Sequence, residues 1–85
     1  MHDIWVDFND VDPATNWVFT HARYAEQDVD VSVGVTLIAG DHDGNVCKAD
    51  VLEVTRSGLV RLCLDLGTFR QASASNRELA GNGRC

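Results

Sequence analysis

From position 29 to position 39 every odd-numbered residue is apolar: Val29, Val31, Val33, Val35, Leu37 and Ala39, separated by Asp30, Ser32, Gly34, Thr36 and Ile38. Period two turns alternate side chains to opposite faces of an extended backbone, so this stretch predicts a long strand with one face in a core. Residues 60–66, Val-Arg-Leu-Cys-Leu-Asp-Leu, repeat the pattern, and residues 4–8, Ile-Trp-Val-Asp-Phe, repeat it more briefly. Eleven of the 85 residues are valine, and branched side chains suit a pleated, half-buried surface. The chain reads as all-β.

Two glycine-closed loops then set the strand registers. Asp41-His42-Asp43-Gly44-Asn45 and Thr55-Arg56-Ser57-Gly58-Leu59 both fit a three-residue hairpin loop whose last residue is a glycine in the left-handed conformation. The first loop aligns Ala39 with Cys47, Leu37 with Ala49 and Val35 with Val51. The second aligns Val54 with Val60. Between them the apolar phase slips by one residue, from Cys47, Ala49 and Val51 to Leu52 and Val54. A β-bulge, in which Val51 and Leu52 both oppose Leu62, absorbs the slip and returns every apolar residue to one core, with Ala49 opposite Leu64 and Cys47 opposite Leu66. Bulges bend a strand, which suits a small barrel.

Residues 13–25 point two ways. Asp12-Pro13 fits a helix cap with proline in the first turn, whereas Trp17-Val18-Phe19-Thr20 favours a strand. A strand at about 17–23 is taken as the fifth, with one short helix near 13–25 left open. The resulting expectation is a small five-stranded antiparallel barrel, SH3-like in type, over residues 1–70. At 85 residues there is room for one domain, which buries roughly 60–65% of its chain surface on folding. Residues 71–85 hold one Leu and two Gly among small polar residues, too little apolar surface to offset ordering entropy, and so predict a mobile C-terminal tail.

Thirteen acids oppose seven Lys and Arg, for a net charge of −6. Residues 1–55 carry 11 acids and 2 bases, net −9, and residues 56–85 carry 2 acids and 5 bases, net +3. Phosphate binding rests on cations displacing counterions, so nucleic acid and anionic membranes are disfavoured as partners. The asymmetry favours a protein partner or a homodimer. No apolar run reaches the ~18 residues that span a bilayer, and the opening Met-His-Asp-Ile-Trp lacks the basic and apolar regions of a secretory signal. Cys47, Cys63 and Cys85 make an odd count without Cys-x-x-Cys, pointing to a reduced, cytoplasmic compartment.

Val35-Thr36-Leu37-Ile38-Ala39-Gly40-Asp41-His42-Asp43-Gly44, with Ala49-Asp50-Val51 following, resembles the KOW motif of SH3-like barrels in ribosomal proteins and transcription elongation factors. That resemblance implies a barrel fold and a nucleic-acid-binding loop. The family usually carries a Lys before the loop glycine where this chain has Asp43, and the departure weakens the nucleic-acid implication more than the fold. The whole chain is similar to short acidic bacterial proteins, actinobacterial in character, with a Trp-Val-Asp-Phe-Asn-Asp opening, an Asp-x-Asp-Gly-Asn turn and a late Leu-Asp-Leu. That similarity implies no activity.

Candidate sites follow from side-chain chemistry. Residues 41–45 alternate oxygen ligands, but an EF-hand needs Gly sixth and an acidic twelfth residue where this stretch has Gly44 fourth and Leu52 twelfth, so turn chemistry explains it better than a metal. His42 and Asp43 remain loop candidates for partner contact. Asp7, Asp10 and Asp12 suit a turn, and His2, His21 and His42 lack the paired spacing of a zinc site. Cys47 is expected in the core and Cys63 on the opposite face beside Asp50, so the two are not joined to each other and neither is a nucleophile. Trp5 has the parity opposite Ile4, Val6 and Phe8. With Trp17 and Arg61 it is a candidate partner-binding residue, unless the tryptophans plug the barrel ends. The expected function is a non-enzymatic protein-interaction or assembly module without cofactor or metal. The alternatives are a KOW-like nucleic-acid binder using Arg56, Arg61, Arg70, Arg77 and Arg84, and a barrel binding a small molecule or metal.

Overall fold

The computed structural model describes residues 2–71. The fold is all-β: β1 (Ile4–Trp5), β2 (Trp17–His21), β3 (Thr36–Gly40), β4 (Val46–Val54) and β5 (Leu59–Leu64), with single 3₁₀ turns at Phe8–Asp10, Ala22–Tyr24 and Leu66–Thr68. The strands form one sheet in the order β1-β3-β4-β5-β2, strongly curled into a half-barrel. It is mixed and not purely antiparallel as expected, because β1 runs parallel to β3, with Ile4 beside Ala39 and Trp5 beside Gly40. No helix among the described residues is long and apolar enough to cross a membrane.

The hairpin registers follow the loops. Ala39 pairs with Cys47 and Leu37 with Ala49; Val54 pairs with Val60 and Ala49 with Leu64, with the register shifting between Val51 and Glu53. Gly44 and Gly58 have φ of 88° and 96°, the left-handed conformation that closes each loop without a Cβ penalty. Asp41 fills the first loop with its own carboxylate: Oδ1 accepts from the N–H groups of Asp43 and Asn45, both at 3.0 Å, and Oδ2 from Asn45 Nδ2 at 2.9 Å.

The long strand expected over residues 29–39 is shorter. Only Thr36–Gly40 is a strand, and Gly34, at φ 92°, turns the chain before it. Gly34 N–H donates to Val51 O and Val51 N–H donates to Val35 O, each at 2.9 Å; before that point residues 29–33 have no strand beside them, among the described residues, to complete a ladder. The alternation keeps part of its meaning. Val29, Val31 and Val35 still pack on the core, while Val33 is 65% exposed.

The fifth strand lies at Trp17–His21, and the Asp12-Pro13 helix start lasts one turn. Asp12 O accepts from Thr15 N and Asn16 N and its Oδ1 from Ala14 N. Asn16 then takes φ 63°, a left-handed conformation that asparagine tolerates, and sends the chain into β2. The core is Ile4, Val6, Val18, Leu37, Ala39, Cys47, Ala49, Val51, Val60, Leu62 and Leu64, with Phe8 and Phe69 edge-to-face at 5.2 Å beside it. Past β5 the chain remains part of the sheet through Arg70, which exchanges two backbone bonds with Val46. The tail expected over 71–85 lies, apart from Gln71, outside the described residues.

Candidate functional site

Alternation sorts the side chains of β2 and β5 into two sets. Val18, Thr20, Val60, Leu62 and Leu64 are buried; Trp17, Phe19 and His21 project from the other face, in register with Cys63, Arg61 and Leu59. On that outer face the Arg61 guanidinium lies 4.4 Å from the centre of the Trp17 ring, and its Nη2 is 3.4 Å from Glu53 Oε1. A guanidinium over an indole face is attracted by the ring quadrupole, so the cation is held flat and presented rather than left to sample many rotamers. Phe19 and Leu59 flank it, 54% and 42% exposed. Trp17 and Arg61, picked out separately in the sequence, are thus one unit, and Phe19 and Leu59 join it. These two were missed, although the parity of Val18 and Thr20 in the core assigns Phe19 to the outside.

Trp5 is elsewhere. Ile4 and Val6 are fully buried, so Trp5 projects from the opposite face, where it meets Tyr24 edge-on at 5.3 Å and 62° and the His42 ring at 5.7 Å and 37°. Together with His2 and Glu26 these rings line a surface cleft of about 390 Å³. Trp5 Nε1 is buried without a hydrogen-bond partner, so ring contacts and not a polar tether set the indole's position. His42 therefore belongs to the Trp5 cleft, whereas Asp43 sits exposed on the turn with its N–H directed to Asp41. Tyr24 and Glu26 had no signal in the sequence, because the Ile4–Ala25 bridge and the Glu26 N–H bond to Asp3 O that bring them beside β1 leave no local pattern.

The two edge strands of the half-barrel are bridged by a side chain of the core face: Thr20 Oγ1, from β2, donates to Trp5 O, in β1, at 2.6 Å.

Neither described cysteine is placed as a nucleophile. Cys47 is buried and free. Its Sγ lies 3.1 Å from Asp65 O and 3.7 Å from Thr68 Oγ1. Burial pushes its pKa up, the Thr68 contact works against this, and the Asp65 charge adds to the rise; a thiol so placed stays protonated. Cys63 pairs with Asp50 as expected. It is nevertheless 1% exposed, with its sulfur 3.6 Å from Thr15 O, and it is disulfide-bonded, which the expectation of a reduced, outward-facing thiol did not foresee. Among the described residues no group of three His, Cys, Asp or Glu is arranged to hold a metal ion.

No family model matches the chain, and no curated protein or solved structure is similar to it.

Proposed function

We propose that this is a non-enzymatic interaction module that engages a protein partner through the outer face of β2 and β5. The observation that carries this reading is the Trp17–Arg61 stack set between exposed Phe19 and Leu59. Aromatic rings and Arg dominate interface energetics because they bury large area at low entropic cost, and here the Arg head is already held by Trp17 and Glu53. A KOW-like nucleic-acid role has less support, since Asp43 replaces the loop lysine and the stacked Arg61 is already ion-paired. For the compartment, the odd cysteine count supports the cytoplasm, and the disulfide at Cys63 is the observation against it.

Native capture from lysate with the full chain, compared among wild type, Phe19→Glu and Asp43→Asn, tests the surface. A partner held by wild type and by Asp43→Asn, but lost at least about tenfold in Phe19→Glu, is the expected result. Equal capture by all three, or a captured species that is nucleic acid by its 260/280 nm absorbance ratio, overturns it. Sedimentation of the pure protein tells whether the partner is a second copy.

A further inference from the structure

The Trp5 cleft is separate from the outer face and has the composition of a cation site. Three rings, Trp5, Tyr24 and His42, line it with their planes inclined to one another by 62° and 37° about the indole. The three rings share the lining of one cleft, and an indole face is the strongest of the common ring partners for a cation. Tyr24 already shows this attraction on one side, where the Arg23 guanidinium lies 5.4 Å from its ring centre.

We infer that the cleft binds an alkylated ammonium group, with the cation against Trp5 and Glu26 as its counter-charge. Glu26 lines the cleft and is exposed, and among the described residues its carboxylate forms no ion pair. Asp41 and Asp43 bracket His42 in the chain and Asp3 follows His2, so the cleft lies within the half of the sequence whose net charge is −9. A field of one sign concentrates the oppositely charged ligand at the site. Alkylation matters because the walls are mainly rings: a methylated ammonium gives up little hydration on entering and makes carbon contacts with the ring faces, whereas a bare ammonium loses hydrogen bonds to water that the rings do not replace. An inorganic cation needs several converging oxygens, and among the described residues lining the cleft Glu26 is the only carboxylate.

The test uses the ¹⁵N-labelled full chain, in which Trp5 and Trp17 give separate indole N–H signals. Titration with choline is expected to shift the Trp5 indole signal and the Tyr24 and His42 amides to saturation at millimolar concentration, leaving the Trp17 indole in place. The neutral isostere 3,3-dimethylbutan-1-ol has the same shape without charge, and should bind about tenfold more weakly or not at all. Glu26→Gln, an exposed change that keeps the backbone bond of residue 26 to Asp3 O, should weaken choline by about fivefold. Trp5→Leu should abolish binding, its fold being checked in the same spectrum. An Nε-trimethyl-lysine amide that binds more tightly than choline assigns the group to a protein side chain, and the reverse order to a small molecule. No saturable shift by about 50 mM choline, equal binding of the neutral alcohol, or unchanged binding in Glu26→Gln overturns the inference.

Discussion

The hairpin unit, residues 36–64, and the N-terminal half, residues 2–35, are built by different means. In the hairpins the turn groups are satisfied within their own loops: Asp41 by Asp43 and Asn45, Thr55 Oγ1 by Leu59 N at 3.0 Å. In the N-terminal half the decisive bonds reach far along the chain. Asp3 Oδ2 accepts from Ile38 N, His21 Nε2 meets Ser57 O, and Thr20 Oγ1 donates to Trp5 O. The difference teaches that the meander is specified by nearest neighbours in sequence, while the seam of the half-barrel, and with it the Trp5 cleft, is specified by a few single contacts. A damaged loop should therefore hurt the N-terminal half most where the two regimes meet.

They meet at Gly58. A Cβ there faces φ 96° and also comes within 2.6 Å of His21 Cε1. His21 Nδ1 accepts from Arg23 N, so Nε2 carries the proton and donates to Ser57 O; displacing the ring breaks both bonds. Gly58→Val should cost about 3 kcal/mol, from backbone strain plus the lost tether. Gly34 has a similar φ of 92° but open space around it, so Gly34→Ala should cost only about 1 kcal/mol. Urea denaturation compares them, and equal costs would mean that the loop is not tied to β2 through His21.

The seam itself is the next largest effect. Thr20 is 7% exposed and bonds Trp5 O. Thr20→Val keeps the shape and removes the donor, leaving a carbonyl unpaired, at a cost of about 1–2 kcal/mol. Hydrogen exchange should quicken in β1 and β2 and stay slow in the β4–β5 pair. Uniform loss of protection would show the two regions to be one cooperative unit, breaking the comparison.

The sequence disclosed the meander in detail because each hairpin register follows from a three-residue loop and a parity. The bulge was legible for the same reason: Val51 and Leu52 have opposite parity yet both had to face one core. Residues 29–35 were misjudged because alternation reports which side chains face the core, and says nothing of whether a neighbouring strand exists to complete the ladder; Gly34 inside the pattern was the overlooked sign. Tyr24 and Glu26 were invisible since a single Ile4–Ala25 bridge and the Glu26 N–H bond to Asp3 O bring them to Trp5, and so brief a pairing between separate segments leaves no turn or parity to read. The Trp17–Arg61 stack was half legible: each residue stood out alone, and the β2–β5 register supplied the contact.

Cys47 provides the smallest effect and the finest test of the hairpin side. It pairs with Ala39 in β3 and the Leu66–Thr68 turn closes over it, with Thr68 Oγ1 accepting from Lys48 N and donating to Asp65 O. If that cover is as tight as the geometry indicates, a thiol reagent should label Cys47 only when the chain opens, at a rate that rises with urea. Burial raises the thiol's pKa in the folded chain, and the sign of the linkage follows. Below about pH 8.5, the ordinary thiol value, both states hold the proton and the thiol makes no difference to the pH dependence. Above it the unfolded chain releases a proton that the folded chain keeps, so stability is lost progressively as pH climbs toward the folded value. Cys47→Ala should remove that alkaline slope while costing packing at every pH. A slope that persists in the alanine variant, or fast labelling of Cys47 in the native protein, would show that the turn over β4 opens readily, and that the locally specified half is the looser one.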